Sequence, residues 1–207
     1  NLKLRHMLTM GIRNYLSDRG LLEIETPMLV KRTPEGARDY LVPSRTHPGK
    51  FYALPQSPQL YKQMLMVAGV DGYFQLARCL RDEDLRKDRQ PEHTQIDIER
   101  SFVSEEDIME LTEGLICRLF SDLLGVELER PFPRIDYDTS MRKYGSDKPD
   151  LRFSLEISDC SDIFASTGFR VFSSVLEEGG AIGGIAVESG YEFSRSRIRK
   201  LEKAARD

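Results

Sequence analysis

An α+β arrangement follows from three features of the sequence. Leu4, Leu8, Ile12, Tyr15 and Leu16 recur at three- and four-residue steps and form one stripe of an amphipathic helix. Two strand-length segments, 73–81 and 94–103, flank a strongly polar stretch, 82–93, the pattern of an antiparallel pair. Ser104-Glu105-Glu106-Asp107 has the form of a capping box with acid at the positive helix end, and Ile108, Leu111, Leu115, Leu119 and Leu123 carry that helix to Gly125.

The 207 residues, 40% hydrophobic and 31% charged, suffice to bury a core for one or two domains of ordinary soluble composition. No run of about 18 apolar residues occurs, so a membrane-spanning helix is excluded and no membrane partner is expected. With a net charge of −4, a nucleic-acid partner has to be held by a local basic surface and not by the field of the whole chain. Cys79, Cys117 and Cys160 lack the close spacing of a zinc site or a disulfide framework, which points to a reducing, cytoplasmic compartment. His6, His47 and His93 form no helical His-x-x-x-His pair, so a His/Cys metal site is not expected. The first residue is Asn1, and the chain is expected to be a segment of a longer protein.

The first helix, 4–19, stops at Gly20, and 21–26, with Leu22, Ile24 and Thr26 alternating, is a strand that Pro27 terminates. Residues 31–50 hold Pro34, Gly36, Pro43, Pro48 and Gly49 among charges and are predicted to be a loop of functional length. A short strand, 51–54, precedes a helix that Ser57 caps and Pro58 opens. On it Gln59 and Lys62 share one face, and Leu60, Met64 and Val67 are predicted to trace the opposite, buried side. Along the second long strand Thr94, Ile96 and Ile98 point one way and Gln95, Asp97 and Glu99 the other.

After Gly125, Pro131, Pro133 and Pro149 punctuate a stretch with a short helix at 138–144, and a boundary is placed near Arg152. Beyond it 169–176 and 182–187 are predicted to be strands around Gly179-Gly180 and Gly183-Gly184, and Ser194 caps a basic helix through Ala205. This is a second α+β unit.

If the two long strands pair antiparallel, Gln75, Arg81, Gln95, Asp97 and Glu99 share one sheet surface, a density of charge that solvent exposure alone seldom demands. The link 81–90 carries both signs; on composition it reads as a solvated hairpin tip, and its sharper reading is a phosphate clamp built on the planar fork of Arg.

The stretch RDEDLRKDRQPEHTQIDIE (81–99) resembles motif 2 of the bacterial-type aspartyl-tRNA synthetases, which are class II enzymes. The helix and strand ending at Pro27 resemble motif 1, TPEGARDY (33–40) the flipping loop, and YALPQSPQLYK (52–62) the entrance to the substrate-binding helix. YGSDKPDLR (144–152) is similar to the stretch preceding that family's inserted domain. The resemblance implies a class II antiparallel sheet flanked by helices over 1–152, carrying motifs 1 and 2, with 153–207 as the start of an inserted α+β domain.

It also implies a reaction: the carboxylate of L-aspartate attacks the α-phosphate of ATP, and the aspartyl group of the resulting adenylate passes to tRNA. Arg81 is implied as the catalytic residue that holds both carboxylate and α-phosphate, where charge builds. Lys62, with Gln59 beside it, would meet the side-chain carboxylate, and Glu35 and Asp97 the substrate ammonium. Glu83 and Gln90 would contact ATP, and Glu99 would assist ATP or its Mg²⁺, whose ligands lie mostly outside this segment. Arg86, Lys87 and Arg89 would face tRNA phosphates. A homodimer through motif 1 and a cytoplasmic location complete what the resemblance implies. Without it the same residues have plainer readings: Lys62 a surface helix lysine, Glu35 turn chemistry, Asp97 an exposed strand acid, Glu83 a solvated loop acid, Arg86, Lys87 and Arg89 hairpin charges.

The chain departs from the family pattern in places. His93 stands where the family usually has Phe, and 188–192 lacks the glycine-rich pattern of the inserted domain. Motif 3, with its second ATP-binding arginine, is absent, so the segment alone is not expected to form adenylate efficiently. Two other readings stand beside the ligase: a non-catalytic paralogue that binds RNA, and an asparagine synthetase-like enzyme that activates aspartate without tRNA.

Overall fold

The computed structural model describes all residues except Pro34, 85–88, Phe153, Ser189 and Asp207, and of Tyr191, Ala205 and Arg206 it describes the backbone alone. Two compact units divide the chain, 1–132 and 133–207. The first holds helix α1 (Leu2–Ser17), strands β1 (Leu22–Glu23), β2 (Leu41–Pro43) and β3 (Phe51–Ala53), helix α2 (Gln59–Val67), strands β4 (Gly72–Leu80) and β5 (Glu92–Arg100), and helix α3 (Glu105–Leu124).

The sheet order is β1-β4-β5, with β1 parallel to β4 and β4 antiparallel to β5. Its register sets Tyr73 opposite Glu99, Gln75 opposite Asp97, Ala77 opposite Gln95 and Cys79 opposite His93. Side chains alternate across a strand, so these eight share one face while Phe74, Leu76, Ile96 and Ile98 share the other. The apolar face is closed by Ile12, Tyr15 and Leu16 of α1 and Leu111, Leu115 and Leu119 of α3, which form one core with Leu21 and Phe74. α2 packs on β4 and β5, and its Lys62 meets Asp97 on the polar face.

α3 begins as its sequence predicts. The Ser104 hydroxyl accepts from the Asp107 N–H, the Asp107 carboxylate accepts from the Ser104 N–H at 2.7 Å, and Gly125 ends the helix at φ 65°. Hydrogen bonds from Ser104, side chain first and then backbone, hold the Asp107 carboxyl below its ordinary range.

Elsewhere the structure departs from the sequence expectation. The stretch 31–50 contains β2, which pairs with β3 from Leu41–Ala53 to Pro43–Phe51; Pro43 is tolerated because β2 is an edge strand of a two-stranded ribbon. Ser57 is not the helix cap: Pro58 occupies that position, and the Ser57 hydroxyl accepts the Gln59 N–H at 3.3 Å from one residue further out. The faces of α2 are reversed, with Leu60, Met64 and Val67 exposed and Lys62 its buried residue, because the carboxylates of β5 draw the ammonium to the sheet. β5 ends at Arg100 and not at Val103, since Phe102 adopts a left-handed φ of 56° that no strand accommodates.

The second unit holds helix α4 (Tyr137–Tyr144), strand β6 (Ile157–Asp159), helix α5 (Arg170–Glu177), strand β7 (Gly183–Ile185), a 3₁₀ turn (Gly190–Glu192) and helix α6 (Arg195–Arg206). Asp136 caps α4, and α4 packs with β6, so the break in contacts falls before Pro133 while the sequence suggested a boundary near Arg152. Residues 169–176, predicted as a strand, form α5: Phe169 and Phe172, three apart, meet edge-to-face at 4.9 Å, and Phe164 meets Phe172 at the same distance, contacts that helical spacing allows and a strand forbids. β6 and β7 form an antiparallel pair. Among the described residues no helix is long and apolar enough to cross a membrane.

α1 and α3 approach closely where Gly114 faces Tyr15, whose hydroxyl donates to the Leu111 carbonyl at 3.2 Å. A methyl at 114 would overlap that hydroxyl. Gly114→Ala is therefore expected to destabilise the chain by about 1–3 kcal/mol in urea unfolding, the range of core overpacking, despite the better helix propensity of Ala. Tyr15→Phe in the same background is expected to recover part of the loss; a Gly114→Ala chain more stable than its parent contradicts the packing.

Candidate active site

The floor of the polar face is a cluster of charge. Lys62 reaches from α2 to Asp97 at 2.9 Å and to Glu99 at 3.2 Å, and the Gln95 amide donates to the same Asp97 oxygen at 3.1 Å. Lys62 is 9% exposed and Asp97 5%, so the plain readings of a surface lysine and an exposed strand acid do not hold. Burial is the largest influence on the Lys62 ammonium and lowers its pKa, but Asp97 and Glu99 together outweigh it and leave the pKa raised. Lys62 is thus a permanently charged, buried cation. The second oxygen of Asp97, Oδ2, is buried without a hydrogen-bond partner among the described residues.

Beside this floor two titratable groups, Tyr73 and Cys79, are held neutral. Burial, and after it Asp97, push the Tyr73 phenol up; its hydroxyl donates to Gln75 Oε1 at 2.8 Å, and Thr26 donates to the same oxygen at 3.1 Å. Burial likewise pushes the Cys79 thiol up to about 11, against a lowering by Arg81 and with raising contributions from Asp97 and Glu35. Cys79 is fully buried and inert as a nucleophile near neutral pH.

Arg81 follows β4 directly. Its N–H donates to the Pro91 carbonyl at 2.8 Å, and the preceding Leu80 N–H donates to Pro55 at 2.9 Å, which ties the end of β4 to the approach to α2. The Arg81 Nε donates to the Gln56 carbonyl at 3.4 Å. Arg81, Glu83 and Gln90 line one cavity of about 530 Å³, which Arg5, Arg89 and His93 also line. Arg89, read from the sequence as a contact for tRNA, stands 3.6 Å from Glu83 on this rim, and Arg86 and Lys87 lie outside the described residues. The lining of this cavity does not include Lys62, Asp97, Glu35 or Gln59.

Glu35 is held by the residues at the approach to α2. One carboxylate oxygen accepts the Ser57 hydroxyl at 2.7 Å and the other the Thr33 hydroxyl at 3.2 Å, which holds the loop against the approach to α2. Gln59 is half-buried one turn before Lys62. Among the described residues no group of three or more His, Cys, Asp or Glu side chains is placed to hold a metal, and Glu99 is engaged by Lys62 at 3.2 Å.

Sequence reasoning assigned no role to Gln56 or Asp39, and to Ser57 only that of a helix cap. Gln56 is 1% exposed and Asp39 pairs with Arg32 at 3.2 Å, but a buried amide on a chain crossing leaves no periodic signal. Gln95 had a signal, since it alternates in step with Asp97 on the same face.

The family described as tRNA synthetases class II (D, K and N) matches residues 1–197. An aspartate–tRNA(Asp/Asn) ligase of Natranaerobius thermophilus is 55% identical over 207 residues, covering 100% of this chain and 35% of that protein. One of the same description from Aquifex aeolicus is 60% identical over 203 residues, 98% of this chain and 34% of the relative. An aspartate–tRNA ligase of Clostridium perfringens is 55% identical over 199 residues, 96% and 33%. The chain spans about one third of the length of these curated relatives.

Removing the ammonium leaves Asp97 buried and uncompensated. Lys62→Met is expected to cost of order 3 kcal/mol in urea unfolding, and Lys62→Met with Asp97→Leu to recover most of it, because the charge is then removed as a pair. A Lys62→Met chain as stable as the parent would show that Asp97 is already hydrated.

Proposed function

Since the chain belongs to the class II tRNA synthetases (D, K and N), we propose that it serves an aspartate–tRNA ligase and carries that enzyme's amino-acid pocket and part of its ATP site. The observation that carries the reading is the buried cation on the polar sheet face. Lys62 has three N–H donors; Asp97 accepts one, Glu99 lies 3.2 Å away, and among the described residues no further partner is placed to take the remaining donor, which we assign to an anionic ligand. That is the chemistry that separates aspartate from neutral amino acids of the same shape. The relatives named above as aspartate–tRNA ligases support it, and their names favour neither a non-catalytic RNA-binding module nor an asparagine synthetase-like enzyme.

In this reading Lys62, with Gln59 beside it, holds the side-chain carboxylate, and the free Oδ2 of Asp97 and the carboxylate of Glu35 face the substrate ammonium. Arg81 binds the α-carboxylate and the α-phosphate of ATP, drawing the nucleophile and its target together and meeting the charge on the phosphate oxygens as the acyl–phosphate bond forms and pyrophosphate leaves. Glu83 and Gln90 fix the nucleotide in the cavity they share with Arg81. Mg²⁺ bound with ATP would supply neutralisation of the phosphates, with Glu99 to assist and its ligands mostly outside this segment. Arg86, Lys87 and Arg89 serve the tRNA that accepts the aspartyl group.

The proposal extends to organisation. Residues 1–152 serve as the catalytic core and 153–207 as part of an inserted domain. The exposed Leu2, Leu4, Met7 and Met10 of α1 are the apolar surface through which two copies pair, and the enzyme works in the cytoplasm.

ATP–pyrophosphate exchange with the complete protein is the test. Exchange is expected to depend on L-aspartate and to fall about 10²–10³-fold in Arg81→Ala, the usual loss of one preorganised donor to developing charge. Exchange driven by asparagine would correct the amino acid alone, and exchange driven by neither would refute the enzyme.

A further inference from the structure

One side chain beside the site is more committed than its neighbours. Gln56 is 1% exposed, and its amide pairs with the main chain of Ala37 on both sides: Oε1 accepts the Ala37 N–H at 3.2 Å and Nε2 donates to the Ala37 carbonyl at 2.9 Å. The same Nε2 donates to Asp39 Oδ1 at 2.5 Å, and Asp39 in turn pairs with Arg32 at 3.2 Å. Arg32 and Asp39 are the two shoulders of the loop that carries Glu35, so the amide of Gln56 fastens that loop from within. The backbone carbonyl of Gln56 accepts from Arg81 Nε at 3.4 Å, and the next residue, Ser57, donates to Glu35 at 2.7 Å.

We propose that Gln56 is a positioning residue for the amino acid: its side-chain amide sets the loop carrying Glu35 at the distance where it meets the substrate ammonium. The proposal rests on the reading of this face as an aspartate site. Gln is suited to the task because it alone among side chains of this length offers the donor and acceptor of a peptide group without charge. A carboxylate at 56 would lose both donated bonds and face Asp39 with a like charge, and an apolar side chain would leave the Ala37 N–H and carbonyl without partners.

The experiment uses the complete enzyme in aspartate-dependent ATP–pyrophosphate exchange. Gln56→Glu is expected to raise the KM for aspartate about tenfold, the size of one net hydrogen bond, while the KM for ATP moves less than about threefold. Gln56→Glu combined with Asp39→Asn restores one donor–acceptor pair with the roles exchanged and is expected to bring the aspartate KM most of the way back. Gln56→Met, which keeps the shape, carries the same test if the acidic variant does not fold. Unchanged KM values, or equal rises for aspartate and ATP, overturn the proposal even where the melting temperature falls, since a purely structural amide would do no more. A parent enzyme without aspartate-dependent exchange overturns the reading of the site and the positioning role with it; an active parent with an indifferent variant overturns the positioning role alone.

Discussion

The contact between Lys62 and Asp97 constrains everything around it. An ion pair taken out of water costs several kcal/mol per charge before attraction and hydrogen bonds offset it, and apolar residues of similar volume often stabilise a fold as well. Burial of this pair is therefore weak support for stability. What it supplies is an ammonium in a fixed place, held charged by two carboxylates and steadied by the Gln95 amide on Asp97. α2 lies with its apolar Leu60, Met64 and Val67 outward because its one charged side chain is claimed by the sheet.

The β4–β5 register turns that contact into a site. Side chains alternate with period two, so one dry face receives α1 and α3 while the other gathers Gln75, Gln95, Asp97 and Glu99 beneath α2. A slip of one residue would send Asp97 into the helical core and Ile98 into the site. Arg81 enters at the same edge, tied through Gln56 and Pro91, so in the proposed reading amino acid and nucleotide would depend on one hairpin.

Much of this was legible in the sequence because it depends on local rules. The stripe of α1, the capping box of α3 and the alternation on β5 are each written within a few residues. Orientation was harder. Periodicity places a lysine in solvent, and only carboxylates from a strand some 35 residues away reverse that for Lys62. β2 was hidden because three residues ending in Pro43 hold together only with β3 beside them, and α5 because its aromatic and β-branched residues favour strands until Phe164, Phe169 and Phe172 find one another. Gln56 was the least legible, since its partners are a backbone peptide and an acid on a loop 17 to 19 residues earlier.

The central claim is that the buried ammonium selects the ligand. A high-resolution structure of the complete protein bound to L-aspartate tests it most directly. The account expects the ligand's side-chain carboxylate about 3 Å from Lys62 Nζ and its α-carboxylate on Arg81. Aspartate held by other groups, with Lys62 still engaged by Asp97 and Glu99 alone, would contradict it.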